Sequence, residues 1–369
     1  MKNLLILIDA DFIGGAETNY KYILPILEDN GWNPIFVTNG QKRLNEYFGG
    51  QNIRVKVLSS FKSYYSFSVN GRFSVGNLFR NLIAIERNKL ALRKIIKAYK
   101  PVAIVSNSMI SHWLLSLIRG DHSFRKVMHL HDLINRNRVM GLYGIGLDRI
   151  SKRMDRIIVV SDAVKERLVP GIEAKVTRMF NPVIVNGMGR AIGNGRSLNS
   201  LRIGMFARYI PWKGHRDFLR IAAELSDPAF EFVCYGNTDN NETYYGELQN
   251  IAESLPNKER IHLHKFSHDV TGEMSKCDLI IHLSNLPEPS GRVLVEANAL
   301  KIPVYAYEGG GARQLFEELK LAGILVPNGD YRAMIAEIKL FHNKTFVFPT
   351  LEEIIPERYV SKFEEVLIG

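Results

Sequence analysis

Short apolar runs recur along the first half of the chain at 4–8, 34–38, 55–58, 103–106, 126–130 and 156–160. Between them lie stretches such as 19–30 and 78–98, whose apolar residues return at every third and fourth position, the period of a helix. Strands alternating with helices predict a parallel sheet covered on both faces. The pattern lapses at 186–200, where Gly, Asn and Ser dominate and little is left to bury, a linker signature. It then resumes with apolar runs at 201–206, 230–235, 261–264, 279–283, 303–307 and 323–326. The expectation is α/β throughout: two Rossmann-like, doubly wound domains facing each other across a cleft. The first spans 1–187, the linker 188–200 and the second 201–348. The tail 349–369 reads as a closing helix, with the N-terminal domain as one candidate surface for it. Ligands of such sheets sit outside the carboxyl ends of the strands.

A length of 369 residues, 46% hydrophobic and 23% charged, fits two ordinary globular cores. No apolar run is long enough for a transmembrane helix, and the opening run breaks at Asp9 too early for a signal peptide. Two cysteines, Cys234 and Cys277, give no disulfide framework and suit a reducing cytoplasm. Charge sharpens the division of the chain. Residues 1–190 carry 29 Lys/Arg against 14 Asp/Glu, whereas 191–369 carry 19 against 24. The first half is therefore expected to meet an anionic partner such as lipid headgroups or a phosphorylated saccharide, with a plain solvated basic surface as the alternative. Residues 61–100 concentrate this feature, with nine Lys/Arg, one Glu and interleaved Phe61, Tyr64, Tyr65, Phe67, Phe73 and Phe79. Such a stretch suits a membrane interface, and equally the buried face of an ordinary helix.

The densest chemistry lies at 288–296, Glu-Pro-Ser-Gly-Arg-Val-Leu-Val-Glu. It follows a strand run and opens a helix, so Ser290, Gly291, Arg292 and Val293 lie where backbone N–H groups favour an anion. Two carboxylates, Glu288 and Glu296, beside an anion site suit a ligand with both phosphates and hydroxyls, as a nucleotide-sugar has. Arg208 and Lys213 follow the strand run 201–206 and suit a diphosphate, one as a planar fork and the other as a point charge. Gly14-Gly15 follows the first strand but lacks the dinucleotide fingerprint. His129 and His131 end another strand on one side, next to Asp132. A histidine near a sugar and a core histidine are both open readings, and no third metal ligand is spaced to join them. Asp9-Ala10-Asp11 offers too few oxygens for a hard cation.

Together these residues resemble the retaining glycosyltransferases of family 4, the group 1 glycosyltransferases, over nearly the whole chain. The most specific element is Glu288, seven residues, Glu296. Ala207-Arg208 with Lys213-Gly214 comes next. Gly14-Gly15-Ala16-Glu17, His131-Asp132, Val160-Ser161-Asp162, Asn181-Pro182-Val183 and Gly309-Gly310-Gly311 follow in the family's order. The resemblance implies the GT-B fold and a metal-independent hexosyltransferase without a cofactor.

By the same resemblance Arg208 and Lys213 hold the diphosphate, Glu288 and the amides after Ser290 meet the donor sugar, and Glu296 meets the ribose. His131 lies against the sugar, Gly15 admits the phosphate, and Gly236 and Phe266 border the base. Gly14, Asp132 and Ser161 fall on the acceptor side. The implied partners are a nucleotide-sugar, an anionic or lipid-linked saccharide acceptor and the inner face of an anionic plasma membrane, not nucleic acid. Surface polysaccharide or lipopolysaccharide synthesis is the implied setting. The competing readings are a nucleotide-sugar 2-epimerase on the same fold, and a non-catalytic binder of anionic lipid or nucleic acid.

Overall fold

The computed structural model describes residues 1–8, 15–38, 48, 54–57, 68–69, 72–73, 75–120, 123–135, 142–184, 200–238, 241–267 and 269–369. Asp9, Asp11, Gly14, Phe61, Tyr64, Tyr65, Phe67 and linker residues 188–199 lie outside the described residues. The chain divides into two compact units, one of 1–182 with 356–369 and one of 183–355.

In the first unit the elements run β1 (Lys2–Leu7), α1 (Gly15–Asp29), β2 (Trp32–Thr38), β3 (Arg54–Val57), β4 (Ser68–Val69), β5 (Arg72–Phe73) and α2 (Val75–Tyr99). They continue with β6 (Ala103–Ser106), α3 (Met109–Ser116), β7 (Arg125–Leu130), α4 (Leu142–Lys152), β8 (Arg156–Val159), α5 (Asp162–Lys165) and β9 (Val176–Arg178). Seven strands form one sheet in the order β3-β2-β1-β6-β7-β8-β9, and every pairing in it is parallel. Successive residues feed opposite cores, which is why the strands read as unbroken apolar runs. Leu4, Ile6, Val105 and Val127 face α1 and the C-terminal helix, while Leu5, Leu7, Ile104 and Met128 face α2, α3 and α4. Each fully buried aliphatic side chain contributes about 1.5–3 kcal/mol. The pattern predicts neither β9, with its three half-buried residues, nor the antiparallel pair β4-β5. Both are too short to register as apolar runs.

The second unit runs β10 (Leu201–Phe206), α6 (His215–Glu224), β11 (Phe230–Tyr235), α7 (Glu242–Ser254), β12 (Ile261–His264), α8 (Val270–Ser275), β13 (Leu279–His282), α9 (Arg292–Ala299), β14 (Val304–Tyr307), α10 (Gly311–Leu319), β15 (Gly323–Val326) and α11 (Tyr331–Lys339). Its sheet is also parallel, ordered β12-β11-β10-β13-β14-β15. Ile203, Met205, Phe232, Ile281 and Tyr305 pack against Phe218 of α6, Leu248 of α7 and Met334 of α11. The order reverses direction at β10 and β13, the switch point where such sheets bind ligands.

The C-terminal helix α12 (Pro356–Ile368) lies in the first unit, on α1 and β7. Tyr359, Val360 and Phe363 enter that core, and Glu364 accepts from Trp32 Nε1 at 2.6 Å and from Asn30 Nδ2 at 3.1 Å. Among the described residues no helix is long and apolar enough to cross a membrane.

Candidate active site

Three loops of the second unit, following the adjacent strands β10, β13 and β14, are stitched together. The first carries Ala207, Arg208, a single turn at Pro211–Lys213, and Gly214 at the start of α6. It is held from below. Tyr209 N–H donates to the Asn237 carbonyl at 2.8 Å, and its hydroxyl donates to the His264 carbonyl at 2.8 Å. The Tyr209 ring rests 4.8 Å from that of His215, whose burial lowers its pKa to about 4. Gly236 follows β11 beneath this loop. A Cβ there would stand 1.9 Å from the Ala207 carbonyl oxygen, so only glycine admits the crossing.

The second loop joins the first through Asn285 N–H, which donates to the Trp212 carbonyl at 2.8 Å. Lys213 crosses the Trp212 ring, its Nζ 4.4 Å from the centroid, to form an ion pair with Oε1 of Glu288. The same oxygen accepts from the Ser284 hydroxyl and lies 3.2 Å from His282 Nε2. Burial alone would push the Glu288 carboxyl up; His282 and Lys213 outweigh it and hold the group well below the usual carboxylate range. Burial draws the Lys213 ammonium below the ordinary lysine range, against the pull of Glu288.

The third loop buttresses Glu288 from its main chain. Gly311 N–H donates to the Glu288 carbonyl at 2.7 Å. Gly310 has φ +54°, and a Cβ on it would stand 2.2 Å from that same carbonyl oxygen. The glycine run 309–311 is thus the surface on which the Glu288 loop lies.

After Glu288 the chain turns through Ser290 and Gly291 into α9. The first-turn amides of Arg292 and Val293 lie at a helix N-terminus, the end that favours an anion. Arg292 Nη2 and Glu296 Oε1 pair at 2.9 Å, one turn apart on the helix. Phe266 follows β12 and is 59% exposed.

In the first unit, His131 follows β7 and Asn107 follows β6. His131 Nε2 lies 3.2 Å from Asn107 Oδ1, which also accepts from the Tyr20 hydroxyl of α1 at 2.8 Å. His129, fully buried, has its ring centroid 3.8 Å from that of His131, the two planes tilted by 42°, and has no hydrogen-bond partner among the described residues. Burial holds His129 well below the ordinary histidine range and takes His112 to about 3; His112 Nδ1 lies 2.8 Å from Ser106 Oγ. Asp132 is exposed. Ser161 is buried and caps α5, its hydroxyl accepting from Val164 N–H at 3.3 Å. Gly15 opens α1. Among the described residues no three His, Cys, Asp or Glu side chains gather as a metal cluster.

The structure therefore joins Lys213 to Glu288 and Arg292 to Glu296, and places Gly236 under the Arg208 loop. His131, Asp132 and Ser161 belong to the first unit. Four participants escape sequence reasoning: His282, Ser284, Asn107 and Tyr20. A signal existed for two of them. His282 is a polar residue ending an otherwise apolar strand, and Ser284 lies two positions further, just short of Glu288.

Residues 13–186 match the family model Glycosyltransferase Family 4, and residues 193–356 match the model Glycosyl transferases group 1. No curated protein sequence matches significantly. Among solved structures, a glycosyltransferase from Rickettsia africae ESF-5 is similar with a TM-score of 0.72 at 19% identity, covering 100% of this chain and 93% of that one. Anabaena Alr3699/HepE in complex with UDP and glucose gives 0.72 at 21% identity, over 100% and 96%. The apo form of the lipopolysaccharide outer core galactosyltransferase WaaB gives 0.71 at 13%, over 99% of each chain. These likenesses bear out the expected fold, GT-B with two Rossmann-like domains. The chain belongs to the family 4, group 1 glycosyltransferases.

Proposed function

We propose that this glycosyltransferase moves a hexosyl group from a nucleotide-sugar to a saccharide or lipid-linked saccharide, retaining configuration and requiring no metal. The observation that carries the proposal is the arrangement around Glu288. A carboxylate kept ionised, two loop cations and the N-terminus of α9 gather on the loops that follow the two adjacent strands β10 and β13. Arg208, Lys213 and the α9 amides are suited to a diphosphate, and meet the negative charge that builds as it departs. Glu288 is suited to sugar hydroxyls and Glu296 to ribose hydroxyls. His131 is assigned to the sugar, Gly15 to the phosphate, and Gly236 and Phe266 to the base. Gly14, Asp132 and Ser161 are assigned to the acceptor side.

In the proposed step the bond from the anomeric carbon to the phosphate oxygen breaks, and the acceptor oxygen bonds to the same face of that carbon. The acceptor proton passes to the departing diphosphate, so no protein nucleophile takes part. The complex of HepE with UDP and glucose supports the donor class, and WaaB supports a setting in lipopolysaccharide or surface polysaccharide synthesis.

We also assign contact with the cytoplasmic face of an anionic membrane to α2. Ile83 and Leu90, each 53% exposed, alternate with exposed Arg87, Lys94 and Lys97 along one side of that helix.

The deciding experiment is a screen of UDP-, GDP-, ADP- and dTDP-sugars by thermal stabilisation and slow hydrolysis. A donor present at 100 times its Kd adds about 2.7 kcal/mol to stability. One nucleotide class is expected to stabilise the protein, and stabilisation by none would overturn the proposal.

A further inference from the structure

Three adjacent strands of the first unit, β1, β6 and β7, end in a line of hydrogen bonds. At its centre is Asn107. Its side-chain Nδ2 donates to the Leu7 carbonyl at 3.2 Å, and its backbone N–H reaches that same carbonyl at 3.2 Å. On the other side of the amide, Oδ1 faces the Tyr20 hydroxyl and His131 Nε2.

The Leu7 carbonyl fixes which way this amide points. Turned over, Oδ1 would press against another acceptor, and the NH2 group would face Tyr20 and His131. With Oδ1 toward the ring, Nε2 must carry the proton for the contact to be a hydrogen bond, and the neutral ring's lone pair falls on Nδ1. Tyr20, fully buried, donates to the same oxygen and so holds the amide against rotation.

We propose that Asn107 is a positioning residue that fixes His131 as the Nε2–H tautomer, and that Tyr20 locks Asn107 in this role. His131 is then held in one orientation, with Nε2–H on Asn107 and Nδ1 buried, and acts on the sugar through the placement of its ring. The contrast is with an imidazole backed by a carboxylate, where the anion stabilises the protonated ring. An amide oxygen orients without supplying that charge. Among the described residues, the titratable groups near His131 include His129 of β7, His112 of α3 and Tyr20 of α1, with Asp132 next in the chain. Because Tyr20 stands on the helix that Gly15 opens, the placement of α1 and the orientation of His131 are joined through one amide. The catalytic half of this inference rests on the proposed transferase function; the tautomer does not.

The test is nitrogen-15 NMR of the imidazoles in the full-length protein, with the His131 signals assigned by comparison with His131→Gln. The expected spectrum is a neutral Nε2–H ring at pH 7. Asn107→Leu should release it to a mixture of tautomers, and Asn107→Asp should raise the pH at which it protonates. Tyr20→Phe should broaden the same signals without changing the tautomer. In turnover, Asn107→Leu should lower kcat by roughly 10- to 100-fold with the donor KM little changed. Asn107→Asp should recover part of kcat and move the pH profile. A protonated or Nδ1–H ring in the wild type would overturn the proposal. So would spectra unchanged in both Asn107 variants. Because the spectra need no substrate, they decide the tautomer even where no donor is turned over.

Discussion

Lys213 and Glu288 stand 75 residues apart in the chain and meet as a largely buried ion pair on one carboxylate oxygen. Ser284 and His282 address that same oxygen, so three donors converge on Oε1. The expected consequence is that Glu288→Ala abolishes sugar transfer while the protein still folds. Full transfer activity in that variant would sink the donor-site assignment. The same change leaves a buried ammonium without its anion, a loss of about 3–5 kcal/mol. Adding Lys213→Ala should recover part of the lost melting temperature but none of the activity, which separates the two roles of the pair.

Gly310 tests the support beneath Glu288. Its φ of +54° is strained for any side chain, and its Cβ position lies within 2.2 Å of the Glu288 carbonyl oxygen. Gly310→Ala is expected to cost at least about 1–3 kcal/mol by chemical denaturation and to raise the donor KM by displacing Glu288. Unchanged stability and KM would mean that the loop yields freely.

Acid should destabilise the protein through its buried histidines. Burial holds His215 at about 4 and His112 at about 3, against an ordinary value of 6.5. Between these values and 6.5 the unfolded chain binds the extra proton. Stability is therefore highest above about pH 6.5 and falls by roughly 1.4 kcal/mol per pH unit per histidine as the pH drops. For His215 the loss ends near pH 4. Unfolding measured from pH 7 to 5 should show this slope, and His215→Asn should flatten it by about one proton. A slope identical in the variant would contradict the assignment.

The exposed side of α2 makes a separate prediction about membranes. Replacing Arg87, Lys94 and Lys97 with Gln should weaken partition onto vesicles containing anionic lipid by about 1 kcal/mol per charge removed. Vesicles of neutral lipid should show no difference. Equal partition of wild type and variant onto anionic vesicles would leave α2 as an ordinary solvated helix.

The alternation of two strand-and-helix series was legible because parallel strands buried on both faces leave unbroken apolar runs. Leu4 and Leu5 show the rule, entering opposite cores from adjacent positions. Strand β9 was not legible, since an edge of three half-buried residues produces no run. The candidate site was legible as residue types at strand ends, with Arg208, Lys213, Glu288 and Glu296 all standing after apolar runs. Their partners were not. Periodicity reports which face a residue occupies but not what approaches it from another strand. His282 reads as a strand residue until β13 brings it to Glu288. Asn107 reads as a loop residue until β1 and β7 flank it.

By itself, then, the sequence determined the α/β class, the division into a basic first half and an acidic second, and the family. Each of these follows from local pattern, composition or motif order. Tertiary structure alone decided that Glu288 shares one oxygen among Lys213, Ser284 and His282. It also decided that the C-terminal helix belongs to the first unit's core and that an amide from β6 orients the histidine after β7. Lys213 with Glu288, the C-terminal helix with β7, and Asn107 with His131 join elements distant in the chain, and these contacts exist only once burial has brought those elements together and each polar group must find its partner nearby.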